Sequence, residues 1–271
     1  MIVDIGTFGG KISYGGKKDR VVDGVADIAG NVVGALAGAG IGAVIAGPAG
    51  VAGGALAGTA IEKIFQQIGK EIQEKVLSKA ESRKVGTVYS CAKEKIETNL
   101  NSGKALRSDD FFSKRINDHS SSEEILEGTL FAAQREHEEK KLPYLANLYA
   151  NINFDSTINR QMANQLIKIA SDITYRQLVI LYVIGAYQSH PQLVPKRRNK
   201  VFNGIRGYEK ISIASEIYDL YRHSLVFSKN VILDTSGFTP SLLEISGNGA
   251  LIYNLMELSR GPGKIRVNDK E

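Results

Sequence analysis

Tryptophan is absent from this chain, cysteine occurs once and methionine three times. A single thiol, Cys91, excludes an intrachain disulfide and any metal cage built from cysteines, and it suits a reducing compartment. The four histidines (His119, His137, His190 and His223) are scattered, with no HExxH and no paired ligand spacing, so no metal site is expected. The glycines at 9–16 lack both the strand–loop–helix context and the Lys-Ser/Thr ending of a phosphate loop. The first 27 residues contain no apolar run of the kind that opens a secretory signal, which points to a cytoplasmic origin. Cys91 has no fixed histidine partner. Arg115 and His119 stand closer together than the motif of helical ribonucleases requires. No catalytic constellation is identifiable, so the expectation is a protein that is not an enzyme and holds no cofactor.

Charge is the most informative absence. Between Asp27 and Glu62 there is none, although the chain as a whole carries a net charge of +5 and 23% charged residues. In 28–61, 21 of the 34 residues are glycine or alanine. Gly30, Gly34, Gly38 and Gly42 recur every fourth position, and after Gly47-Pro48 the series restarts at Gly50, Gly54 and Gly58. Residues four apart share a helix face, so each half presents a smooth glycine groove that another backbone can approach closely. In water each interior glycine costs a helix about 1 kcal/mol relative to alanine, whereas in lipid the backbone has no competing partner. The pattern therefore predicts a membrane hairpin turning at Gly47-Pro48. Its first arm, 28–46, is about 28 Å long at 1.5 Å per residue, against a bilayer core of about 30 Å. The second arm, 49–61, is too short alone and needs Ile64, Phe65 and Ile68, with Glu62 and Lys63 snorkelling. Large apolar residues are few, so insertion of one copy is marginal. A conditional inserter, stabilised by self-association, is expected. Basic residues on both flanks (Lys11, Lys17, Lys18, Arg20; Lys63, Lys70, Lys75) fit a hairpin with both ends on the cytoplasmic face of the inner membrane.

The rest reads as helical. Ile61, Ile64, Phe65, Ile68, Ile72, Val76 and Leu77 recur at three and four, and polar helical sequence continues to about Leu100. Ser121-Ser-Glu-Glu124 and Thr174-Tyr-Arg-Gln177 have the form of capping boxes. Leu142, Leu145, Leu148, Tyr149 and Ile152 make one stripe, and Met162, Leu166, Ile169 and Ile173 another. Leu178–Ile184 is apolar all round but too short to span a bilayer, which marks a buried helix. The ionisable run Arg135–Lys141 reads as a solvated helix face with i,i+4 ion pairs. The expected organisation is a Gly-rich arm (1–27), the hairpin (28–61), an amphipathic connector (62–118), a helical bundle (119–200), a C-terminal module (201–260) and a tail (261–271).

Within that module, Ile211–Tyr221 reads as a helix, Leu225–Leu233 is β-prone, and Leu242–Ile245 precedes Gly247 and a final helix over Ala250–Leu258. Helix, ribbon, helix resembles a winged-helix module, so the fold class expected is mostly α with a small α+β C-terminus. Lys196, Arg197, Arg198 and Lys200 are candidate contacts for an anionic partner, but few basic residues follow, and nucleic acid is not favoured.

The two glycine series resemble those of bacterial glycine-zipper hairpin proteins, including membrane-permeabilising toxins and abortive-infection effectors of anti-phage systems. That resemblance implies a pore-forming or membrane-disrupting effector whose partners are the bilayer, further copies of itself and a regulatory protein. The competing expectation is a soluble DNA- or protein-binding adaptor.

Overall fold

The structure, a computed structural model, describes residues 2–5, 10–13, 59–114, 119–189, 208–229, 233, 239 and 242–261. It is mostly α, with eight α-helices among the described residues and two small antiparallel ribbons. The chain divides into two compact units, Asp23–Asp172 and a discontinuous one made of Met1–Val22 and Ile173–Glu271.

The first unit holds five helices: α1 (Ala60–Glu74), α2 (Lys79–Asn101), α3 (Ser121–Arg135), α4 (Leu142–Ile152) and α5 (Arg160–Asp172). Four of them, all but α4, begin where a side chain takes up a free backbone donor. Thr59 accepts from Glu62 N–H ahead of α1, and Ser78 with Glu81 forms a full capping box ahead of α2. Hydrogen bonds from the Ser78 hydroxyl first, then the Gln134 side-chain amide and the Ser78 backbone N–H, hold the exposed Glu81 carboxyl down at about 2. The box ahead of α3 is formed by Ser120 and Glu123, one residue before the expected pair at Ser121 and Glu124. Both candidate pairs satisfy the S-x-x-E spacing, and Ser120 prevails because Ser121 is already helical. Pro143 occupies the first turn of α4, where a missing N–H costs nothing.

The core follows the stripes. Val85, Val88, Ala92 and Ile96 of α2, Ile125 and Leu126 of α3, Leu145, Leu148, Tyr149 and Ile152 of α4, and Leu166 of α5 are all buried. The α1 stripe is buried only as far as Ile72. The helix ends at Glu74 in an extended Lys75, and Val76 is fully exposed at 101%. The segment 62–118 is thus not a connector to the bundle: α1 and α2 are two of its helices, and α2 packs on both α3 and α4.

The run Arg135–Lys141 differs from expectation. Helix α3 stops at Arg135, Glu136 is extended, and Glu139–Lys141 is one 3-10 turn. Glu136 and Lys141 point inward as a salt bridge of 2.5 Å, with side-chain exposures of 7% and 2%. Density of charge suggested a wet surface, but the helix break turns these two groups into the core and each satisfies the other.

The second unit contains α6 (Tyr175–Ser189), α7 (Tyr208–Arg222), β3 (Val226–Ser228), β4 (Leu243–Ile245) and α8 (Gly247–Leu255). Near the N-terminus, β1 (Ile2–Ile5) pairs with β2 (Gly10–Ser13) as an antiparallel ribbon, Ile2 opposite Ser13. The division at 172/173 lies well before the expected boundary at 200. Helix α6, expected within the 119–200 bundle, packs instead on β4, α7 and α8. Its apolar run is buried as expected: Leu178, Ile180, Leu181 and Val183 are exposed by 1% or less. The capping box at Thr174 and Gln177 is present in both directions, and Gln177 also donates to Asp219 of α7 at 2.8 Å. In the ribbon Val226 opposes Ile245 and Ser228 opposes Leu243. Where β4 turns into α8, Gly249 lies so close to Leu225 that a Cβ would meet its carbonyl oxygen at 1.9 Å.

Candidate functional site

The sequence directs attention to where the uncharged stretch joins the helical body. Thr59 closes that stretch with an extended backbone (φ −83, ψ 158) and its hydroxyl caps α1. From there one face of α1 enters the core: Ile61, Ile64, Phe65, Ile68 and Ile72 are each exposed by 5% or less. Lys63, Gln66 and Lys70 on the opposite side stay exposed.

Aromatic contacts hold the middle of this helix. The Phe65 ring meets Tyr89 of α2 and Tyr149 of α4 edge to face, at centroid separations of 5.1 and 5.9 Å. The Tyr89 hydroxyl donates to the Phe65 carbonyl oxygen at 2.7 Å, a direct tie from α2 to the backbone of α1. Burial raises both tyrosines well above the ordinary phenol range, so each remains a neutral hydrogen-bonding group.

Behind the aromatic cluster lies a buried polar seam. Tyr149 and Ser122 hydroxyls share a hydrogen bond of 3.1 Å, Ser122 donates to Asn153 Oδ1 at 2.7 Å, and Asn153 Nδ2 returns to the Tyr149 carbonyl at 2.8 Å. Arg107, also buried, donates through Nη1 to the carbonyls of Ile152 and Ile158 and grips Asp109 at 2.5–2.7 Å. The Arg107 hydrogen bonds keep Asp109 ionised below the usual carboxylate range. These contacts cap the end of α4.

The rim of α1 is polar. Lys114 Nζ donates to Gln67 Oε1 at 2.8 Å, Lys75 meets Glu127 of α3 at 3.0 Å, and His119 stands 3.6 Å from Glu71 and 4.0 Å from Glu127. Exposed pairs of this kind contribute orientation more than stability.

Burial, followed by the nearby Glu94, pushes the Cys91 thiol up to about 12, so it is protonated at any physiological pH. Among the described residues no group of three or more His, Cys, Asp or Glu side chains is arranged to hold a metal ion.

Gly30, Gly34, Gly38, Gly42, Gly50, Gly54 and Gly58, the turn at Gly47-Pro48, and Lys196, Arg197, Arg198 and Lys200 all lie outside the described residues. Among the described residues no single helix is long and apolar enough to cross a membrane. Sequence reasoning assigned Ile64, Phe65 and Ile68 to a lengthened second membrane arm, but here they are core residues of the first unit. It missed the part played by Tyr89, whose only signal was a tyrosine among the buried positions of a long helix. No protein-family model, curated protein or solved structure matches this chain.

Proposed function

We propose that this protein is a membrane-active bacterial effector, of the toxin or abortive-infection type, in which a helical body controls a glycine-zipper hairpin at 28–58. The observation that carries the proposal is an uncharged segment with two four-residue glycine series, running directly into a helix whose apolar face is held by the body. A soluble protein has little use for ten glycines in one helical stretch, since each weakens it by about 1 kcal/mol. In lipid the same glycines let helices approach closely and self-associate. Residues 59–74 give the body a physical hold on that segment.

The alternative, a DNA- or protein-binding adaptor, draws on the order of α7, β3, β4 and α8, which suits a winged-helix-like module. The final helix of that order, residues 247–255, contains no lysine or arginine, a poor match to a helix that meets phosphates.

The test is fractionation of the full-length protein beside a deletion of 28–58, with an alkaline wash of the membranes. Ending the deletion at 58 preserves the Thr59 cap and Ile61. Full-length protein is expected to resist the wash and the deletion to stay soluble. Gly38→Leu is expected to abolish depolarisation of host cells while leaving the body folded. Salt-sensitive binding to duplex DNA that survives the deletion, with no wash-resistant fraction, would favour the adaptor.

A further inference from the structure

We propose that the outer face of α3 is a self-association surface, on which a second copy of this chain docks antiparallel through Glu124, Gly128, Phe131 and Arg135. Nothing in this depends on the membrane reading, since none of the four lies in 28–58.

Spacing comes first. The four residues follow one another at intervals of four, three and four, the interval of a seam between paired helices. Ile125, Leu126, Thr129, Leu130 and Ala133 occupy the opposite side of α3 and are buried. On the outer side Phe131 is 49% exposed, and Gly128 has nothing within 4 Å of where a Cβ would stand. A projecting ring and an open notch therefore stand one turn apart on the same ridge. The Arg135 guanidinium lies 3.9 Å over the centre of the Phe131 ring, which holds the ring in place ahead of any contact and lowers the ordering cost of binding.

Symmetry names the occupant. Gly128 and Phe131 are equally far from a point midway between Thr129 and Leu130, and so are Glu124 and Arg135. A two-fold axis through that point seats Phe131 of each copy over Gly128 of the other, and Arg135 of each beside Glu124 of the other. One helix thus supplies both the ring and the notch, and both the cation and the anion, as an isologous interface requires. Glu124 is already positioned by Arg160 and Asn164 of α5, and a carboxylate can accept from more than two donors. Beside the seam, Glu127 pairs with Lys75 and Gln134 donates to Glu81, giving a polar rim whose groups are satisfied. A single helix pair is a contact of less than about 1,200 Å², so the dimer exchanges and depends on concentration.

The test reads the register of that pairing in full-length protein. Glu124→Cys and Arg135→Cys are made as two separate chains and oxidised with copper phenanthroline, singly and mixed. Mixing sets Cys against Cys on one side of the axis and keeps the Glu124–Arg135 pair on the other. In either chain alone the two thiols stand eleven residues apart along the seam, about 16 Å, beyond the roughly 7 Å that a disulfide can bridge. Cys91 is buried and takes no part. The expected result is a disulfide-linked dimer from the mixture and little from either chain alone. Equal yields from the mixture and the single chains, or no linked dimer at all, would overturn the proposal. Adding Gly128→Leu to both chains fills the notch without a clash inside the chain, and is expected to cut the mixed yield about tenfold, as loss of a central anchor does. Urea unfolding should show that variant to be at least as stable as its parent, because leucine favours a helix more than glycine. An unchanged yield with the notch filled would also overturn the pairing.

Discussion

Two glycines of this chain are placed in opposite circumstances. Gly249 sits beneath the Leu225 carbonyl, with Ile245 Cγ2 at 2.7 Å from where a Cβ would stand. Backbone cannot retreat as a side-chain tip can, so Gly249→Ala is expected to cost about 3 kcal/mol through overpacking. Gly128, midway along α3, has nothing within 4 Å of the same position. There alanine removes only the flexibility of the unfolded chain, and Gly128→Ala is expected to stabilise by about 1 kcal/mol. Urea midpoints of the two variants should therefore move in opposite directions. A shift of both in one direction would contradict the packing described at one of the two sites. Neither site was legible in the sequence, because a glycine's tolerance depends on what crosses above it, and that is fixed by partners far along the chain.

At the scale of elements, the break after α3 shows what charge can hide. Glu136 Oε1 accepts from the backbone of His137 and Glu138 at 2.8 and 2.9 Å, while Lys141 reaches both Glu136 and the Ser171 carbonyl. Removing one member leaves the other charged and buried, so Lys141→Met is expected to destabilise by about 3–5 kcal/mol, read as a lower urea midpoint. Adding Glu136→Gln to the same chain should recover part of the loss. Helix positions were readable from period and caps: the box at Thr174 and Gln177 is where its spacing put it, and the stripes of α4 and α6 are buried. What the pattern could not supply was the identity of the covering surface. The stripe of α1 announces that one face is covered, and says nothing of whether helices α2, α3 and α4 or lipid cover it. Likewise a run of Arg, Glu, His and Lys looks solvated until a helix end turns two of its members inward.

At the scale of the whole chain, the proposed function assigns charge two tasks. On that proposal the uncharged 28–58 stretch inserts, and the Lys196, Arg197, Arg198 and Lys200 cluster adds a salt-sensitive attraction to anionic surfaces. Replacing these four by glutamine is expected to weaken binding to anionic vesicles at low ionic strength. The alkaline-resistant fraction set by 28–58 should be unaffected. A loss of the resistant fraction as well would make the cluster part of insertion itself. Mostly α architecture followed from periodicity. The division of the chain at 172/173 did not, because only Ile173 and Thr174 separate α5 from α6 and no Gly- or Pro-rich linker marks the boundary.

Thr59 has a mechanical consequence. Its extended backbone interrupts any helical path at the boundary between the glycine-rich segment and α1. A continuous helix is a stiff shaft, passing rotation at one end to the other, whereas a single extended residue is a swivel. In this state a pull on the chain before Thr59 reaches α1 as tension at its capped end, and a twist does not. A helix loaded that way peels from its first turn, so Ile61 is the contact that parts first and Ile72 the last.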